Sequence, residues 1–75
     1  MTEDLRDILV DLFELEPEQI SDDLGREDVE LWDSLNHLRL ISAVEEHYGV
    51  KLSMAEIESI DGVARLLSLL EAHRK

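Results

Sequence analysis

The residue types best suited to chemistry lie together at Asp33-Ser34-Leu35, with His37 three positions after the serine. Serine, histidine and aspartate form hydrolytic triads, in which histidine removes the serine proton and aspartate orients the histidine. Here Asp33 is too near Ser34 in sequence to orient His37 from behind, and no glycine-rich turn or obvious oxyanion hole accompanies the serine. We therefore predict that the chain is not an enzyme and that His37 is a hydrogen-bonded, partly buried residue.

The same stretch predicts the start of a helix. Asp and Ser are both preferred N-cap residues, because their side-chain oxygens accept hydrogen bonds from unpaired N–H groups of the first turn. If Asp33 is the cap, through the N–H of Asn36, Ser34 becomes the first helical residue with a free hydroxyl. That hydroxyl then lies where N–H groups and the helix dipole favour an anionic group such as a phosphodiester. Because caps far outnumber modified serines, the residues alone favour Ser34 as the cap.

Four helices account for the rest of the chain, with one long connection over residues 16–33. Apolar periodicity, capping residues, Pro17 and Gly49 set their limits. We predict a first helix from an N-cap at Thr2 to Glu14 or Leu15, and a second from Ser34 to Tyr48. A short third helix should run from a capping box at Ser53 to Ser59. The fourth should be capped by Asp61, with Gly62 just inside it and Arg74-Lys75 at its end. The fold class is all-α, in a single domain over residues 1–75.

The helical periodicity also assigns faces. The residues predicted to face the core are Leu5, Ile8, Leu9, Leu12 and Phe13 of the first helix, His37, Leu38, Leu40, Ile41, Val44 and Tyr48 of the second, and Val63, Leu66, Leu67 and Leu70 of the fourth. Leu35, Arg39, Ser42 and Glu46 fall on the opposite face of the second helix. Some of the apolar residues in the connection should anchor it to the core; they are Ile20, Leu24, Val29, Leu31 and Trp32.

Composition excludes several classes of function. The chain has 75 residues, no cysteine and a formal net charge of −12, which argues against nucleic acids and anionic membranes as partners. No apolar run approaches the roughly 20 residues of a membrane span, and we expect a cytoplasmic protein. The connection is acidic, but it lacks the ligand spacing of an EF-hand loop, so a solvated loop is favoured over a metal site. The acids concerned are Asp22, Asp23, Asp28 and Glu30.

From about Asp23 to Leu70 the sequence resembles the acyl carrier proteins. The resemblance rests on Asp33-Ser34-Leu35 at the start of the second helix, on the run 45–52 after it, and on the run 59–63 before the last helix. It implies a four-helix bundle with 4′-phosphopantetheine attached to Ser34 by a phosphopantetheinyl transferase that recognises Asp33 and Leu35. It also implies that the arm's thiol carries acyl or aminoacyl groups as thioesters. The resemblance reverses the preference for Ser34 as a simple cap. It further implies that three inward residues border a space for the acyl chain, namely Leu40, Ile41 and Val44.

Three positions depart from the common pattern of that family. Trp32 stands where a glycine usually precedes the motif, which predicts a stiffer and bulkier approach to the serine. Asn36 and Arg39 occupy positions that are usually acidic and meet basic partner enzymes. These departures favour a specialised lipid, polyketide or related pathway over housekeeping fatty acid synthesis. We expect a monomer that meets its acyl-loading and acyl-transfer enzymes through Leu35, Asn36, Arg39, Ser42 and Glu46.

A second hypothesis from another class remains open at this point. The chain can be an acidic helical interaction module that shares the carrier fold and bears no prosthetic group. The intact Asp33-Ser34-Leu35 motif favours the carrier, because a module without the arm has no need of a modifiable serine there.

Overall fold

A computed structural model describes residues 3–73 of the chain. Within this range the chain forms four α-helices and no strand. The helices are α1 (Glu3–Phe13), α2 (Ser34–Tyr48), α3 (Met54–Ser59) and α4 (Val63–His73). The all-α class, with three longer helices and a short third one, is confirmed. The predicted cap Thr2 and the terminal Arg74-Lys75 lie outside the described residues.

Local signals in the sequence end α1 and α2. The α1 helix stops where Glu14 adopts a positive φ of 53°, close to the predicted limit. Gly49 ends α2 with φ 65°, a left-handed conformation that glycine adopts without the steric penalty of a side chain.

The predicted capping box opens α3, since the Ser53 hydroxyl accepts from the Glu56 N–H at 3.1 Å and the Glu56 carboxylate accepts from the Ser53 N–H at 2.9 Å. By contrast, α4 begins at Val63, so the predictions that Asp61 caps this helix and that Gly62 lies inside it are both wrong. Gly62 is instead the residue just before the helix, and its carbonyl accepts from the Leu66 N–H at 3.3 Å.

The helices bury one apolar core. Its members are Leu5, Leu9, Phe13, Ile20, Val29, Trp32, Leu40, Ile41, Val44, Leu52, Ile60, Val63, Leu66, Leu69 and Leu70. Most of the predicted inward residues are present, but several lie at its edge and are only partly buried, namely Ile8, Leu12, Tyr48 and Leu67. Leu69 is buried and was not predicted. Leu38 is 54% exposed, so its predicted inward position is wrong. The reason is that Leu38 lies at the margin of the apolar sector of α2, beyond Ile41.

The connection between α1 and α2 contains two 3₁₀ turns, Pro17–Gln19 and Arg26–Asp28. Burial of Ile20, Val29 and Trp32 anchors it to the core, as predicted for some of its apolar residues. Leu24 is partly buried and Leu31 is 37% exposed.

A short antiparallel bridge ties this connection to the junction between α3 and α4. The bridge pairs Gly25 with Gly62. Its two backbone hydrogen bonds run from the Arg26 N–H to the Asp61 carbonyl, 2.8 Å, and from the Val63 N–H to the Leu24 carbonyl, 2.9 Å. The bridge was not predicted, because it joins segments that are distant in sequence.

Candidate functional site

Asp33 is the N-cap of α2. Its backbone is extended, with φ −93° and ψ −176°, and its side-chain Oδ1 accepts from the Asn36 N–H at 2.8 Å. Its carbonyl accepts from the His37 N–H, also at 2.8 Å. Ser34 is therefore the first helical residue, and the preference for Ser34 as the cap, drawn from the residues alone, is wrong.

With the cap position occupied by Asp33, Ser34 is left exposed at the start of α2. Its hydroxyl bonds to none of residues 3–73. The N–H groups of Ser34 and Leu35 belong to the first turn and have no partner within the helix. Among the described residues the Asp33 carboxylate bonds only to the Asn36 N–H, so the N–H groups of Ser34 and Leu35 remain available at the positive end of the helix dipole. These groups fit a covalently attached phosphodiester, whose negative charge the free N–H groups favour.

His37 cannot act as a base toward Ser34, because both ring nitrogens are committed elsewhere. The indole N–H of Trp32 donates to Nδ1 at 2.9 Å, and Nε2 lies 2.9 Å from the Ile57 carbonyl. Since an indole can only donate, Nδ1 accepts, and Nε2 carries the proton that is donated to Ile57. The predicted hydrogen bonding of His37 is confirmed, and the residue is buried, at 6% exposed, where partial burial was predicted. The arrangement gives Ser34 no triad.

Trp32 does not add bulk beside the serine, so that prediction is wrong. Its side chain is 3% exposed and turned into the core, where its ring stacks on Phe13 with 5.0 Å between centroids. The indole has its N–H satisfied by His37, so burial leaves no unpaired donor.

Hydrogen bonds from three directions fix the backbone that leads to Ser34. The Asn36 side-chain amide donates to the Leu31 carbonyl at 2.7 Å. Arg26 donates through Nε to the Trp32 carbonyl at 3.2 Å, and the Trp32 N–H bonds to the Val29 carbonyl at 3.1 Å. Asn36 is half-buried and its amide takes part in this framework.

Three exposed leucines flank Ser34. We call Leu31, Leu35 and Leu38 the flanking leucines; their exposed fractions are 37%, 59% and 54%. Leu35 and Leu38 are three residues apart and share one side of α2. The other large exposed hydrophobic side chain in residues 3–73 is Met54, 67% exposed at the start of α3.

The remaining predicted partner residues lie where the periodicity places them. Arg39, Ser42 and Glu46 are all exposed on α2.

The residues assigned to an acyl site face inward as predicted. Leu40, Ile41 and Val44 are 0%, 3% and 0% exposed, so the closed bundle leaves them almost no surface for a ligand. A separate open depression of about 260 Å³ lies between α1 and α2 and does not include them among its lining residues, Ile8, Asp11, Leu12 and Ala43.

Within residues 3–73, no three acidic or histidine side chains come together in a group that could hold a metal ion. The helices in this range are all too short or too polar to cross a bilayer.

Comparison with known proteins identifies the class. Residues 3–70 match the family described as phosphopantetheine attachment site. The chain belongs to this family of phosphopantetheine-bearing carrier proteins, and its prosthetic group is 4′-phosphopantetheine. It is 35% identical over 69 residues to polyketide-8 synthase acyl carrier protein 2 of Streptomyces avermitilis, an alignment that covers 91% of this chain and 78% of that protein. The resemblance to the acyl carrier proteins is confirmed.

Family membership also sets the general role. The chain is a carrier that transports acyl groups, and such carriers work with a phosphopantetheinyl transferase and with the enzymes of their pathway.

Proposed function

We propose that residues 1–75 form a single, non-catalytic carrier domain whose phosphopantetheine is attached to Ser34, in a polyketide or related specialised pathway. The observation that carries the attachment site is the free hydroxyl of Ser34 at the start of α2, which is available because Asp33 holds the cap position. The pathway class is supported by the similarity to the polyketide synthase carrier of Streptomyces avermitilis.

When bound, the arm supplies a terminal thiol that carries acyl groups as thioesters. The chain contributes the Ser34 Oγ, which forms the bond to phosphorus and gives up its proton, while the pyrophosphate bond of coenzyme A breaks and 3′,5′-adenosine bisphosphate leaves. The base that takes this proton comes from the transferase, because His37 is committed to Trp32 and Ile57. The first-turn N–H groups of Ser34 and Leu35 then lie beside the phosphate and favour its negative charge.

The partner surface surrounds this serine. In our proposal the transferase recognises Asp33 and Leu35, and the acyl-loading and acyl-transfer enzymes contact the flanking leucines together with Arg39, Ser42 and Glu46. Asn36 borders the same surface and holds its backbone in place. Exposed apolar side chains are typical anchors of such contacts, and a charge beside them excludes unsuitable partners.

Arg39 sets the kind of enzyme that fits. A partner with an acidic or neutral surface accommodates it, whereas an enzyme that binds carriers through lysine or arginine is repelled. The protein acts as a monomer in this scheme, and its charge of −12 disfavours nucleic acid as a further partner.

Attachment is tested by incubating the full chain with coenzyme A, Mg²⁺ and a broad-specificity phosphopantetheinyl transferase. We expect the intact mass to rise by one phosphopantetheine, and Ser34→Ala to abolish this addition with helical content unchanged. Ser42→Ala is the matched control, since it removes another exposed serine of the same helix. Addition to Ser34→Ala would show that another residue is modified. No addition to the wild-type chain would favour the interaction module that lacks the arm.

A further inference from the structure

The interior next to the attachment site is closed by two hydrogen bonds in series. They run from the indole N–H of Trp32 in the connection to Nδ1 of His37 in α2, and from Nε2 of His37 to the carbonyl of Ile57 in α3. Each is 2.9 Å long. We call these three residues the latch. It joins three separate segments of the chain through one buried imidazole.

The central residue of the latch, His37, lies on the core side of α2 close to its start. His37 follows Ser34 by three residues, so the two share one side of the helix and are one turn apart. Any acyl chain on the Ser34 arm that enters between α2 and α3 from this end meets His37 first. The inward residues beyond it, Leu40 and Val44, are both 0% exposed.

Opening this entrance is unfavourable for two reasons. Displacing His37 leaves the Trp32 N–H without a partner in an apolar setting, and an unsatisfied buried donor is strongly penalised. It also removes one of the two hydrogen bonds to the Ile57 carbonyl, which then keeps only the bond from the Ile60 N–H at 3.3 Å. Trp32 is further held by its stacking on Phe13. A hydrocarbon chain restores neither hydrogen bond, since it has no polar atoms.

We propose that the latch keeps the acyl cargo outside the helix bundle and that His37 is the positioning residue that closes the entrance. This inference rests on the proposed attachment at Ser34. The space beside Leu40, Ile41 and Val44 then admits an acyl chain only when the latch is released. The wild-type carrier offers long alkyl chains no apolar shelter inside the bundle, and it suits short or oxygen-bearing acyl groups that tolerate water.

The wild-type chain tests the first half of this inference. A broad-specificity transferase loads acetyl- or octanoyl-phosphopantetheine from the corresponding acyl coenzyme A, and intact mass confirms one acyl arm per chain. The rate of thioester cleavage by hydroxylamine is divided by the rate for the same free acyl coenzyme A. We expect this ratio to be the same for acetyl and octanoyl cargo. Trp32 is the sole tryptophan of the chain, and its emission should not differ between the two forms.

A lower ratio for octanoyl than for acetyl cargo in the wild-type chain, or a shift of Trp32 emission with octanoyl, would overturn the inference, since either shows cargo inside the bundle. Absence of any added mass would overturn the proposed function, and the inference with it.

The variant His37→Ala tests the second half. Removing the imidazole releases the latch, and we expect octanoyl cleavage to slow by about fivefold relative to acetyl, the factor that corresponds to the net contribution of one hydrogen bond. General loss of stability does not produce such a dependence on chain length. His47→Ala is the matched control, because His47 is exposed on the same helix. Equal ratios in His37→Ala would show that His37 does not exclude the cargo.

Should circular dichroism show that His37→Ala is unfolded, Trp32→Phe replaces it. This variant keeps an aromatic ring against Phe13 and removes the N–H that His37 accepts. The same slower cleavage of octanoyl cargo is expected, and its absence again counts against the latch.

Discussion

At Gly62 the junction between α3 and α4 passes close to the backbone of the connection between α1 and α2, and alanine at this position tests that contact. A Cβ built on Gly62 would lie 2.8 Å from the Leu24 carbonyl oxygen and 3.1 Å from the Gly25 Cα. Both are backbone atoms, so no side-chain rotation relieves the overlap. The two backbones must move apart, and the two hydrogen bonds of the bridge lengthen as they do so.

The size of the effect follows from these contacts. Two backbone hydrogen bonds contribute about 1 kcal/mol each to stability, and lengthening them without breaking them loses roughly half of that, about 1 kcal/mol in all. Overpacking of a close contact costs about 1–3 kcal/mol. Alanine offsets roughly 0.4–1 kcal/mol of this loss, because it lowers the conformational entropy of the unfolded chain. We therefore expect Gly62→Ala to lower the free energy of unfolding by about 2 kcal/mol. For a domain of this size that corresponds to a fall in Tm of roughly 8–16 °C.

The assay is urea unfolding followed by Trp32 fluorescence, with the other two glycines as controls. Gly49→Ala meets nothing within 4 Å but keeps a φ of 65°, so it should lose about 1 kcal/mol. Gly25→Ala has φ −95°, and its nearest contact is the side-chain carboxylate of Asp28 at 3.2 Å, so it should lose less. A loss for Gly62→Ala no larger than that for Gly49→Ala would refute the argument from close approach.

Two further predictions concern caps. Asp33→Ala removes the cap of α2 and should lower the free energy of unfolding by about 1 kcal/mol in the same assay; Ser34→Ala should lower it much less, and equal losses would contradict the assignment of the cap. The pKa of Glu56 is lowered by its hydrogen bond from the Ser53 backbone N–H, and further by its contact with His73. Because the folded pKa lies below the ordinary value of about 4.5, this stabilisation is present above that pH and is lost as the pH falls through the folded pKa. Glu56→Gln should therefore show a shallower loss of unfolding free energy than the wild type in acid urea titrations, and parallel curves would count against the contribution of Glu56.

Much of the fold could be predicted because its signals are local. The capping box at Ser53 and the glycine at position 49 act through hydrogen bonds and dihedral angles within a few residues. They place one end of α3 and one end of α2 without knowledge of the rest of the chain. The Asp33-Ser34-Leu35 motif is local in the same sense. It marked the proposed attachment site once the spacing of the helices around it was added.

The features that were missed depend on contacts between distant segments. No local pattern shows that Gly62 must pass 2.8 Å from the Leu24 carbonyl, because this requires the bridge itself. Leu38 and Leu69 are both apolar, but Leu38 was predicted to face the core and is exposed, whereas Leu69 was not predicted to do so and is buried. Their burial is decided by which side of each helix the neighbouring helices cover, and periodicity fixes that side only to within the margin of a broad sector.

The choice of cap shows how contacts between distant segments determine the state of Ser34. Asp and Ser are equally good caps by type, so the geometry of the incoming chain must choose between them. That geometry is set upstream, where Trp32 is buried against Phe13 and Arg26 holds the Trp32 carbonyl. The backbone is thereby still extended at Asp33, the conformation an N-cap requires, and turns helical at Ser34. A buried tryptophan two residues before the serine thus contributes to keeping the hydroxyl of Ser34, the proposed attachment site, free.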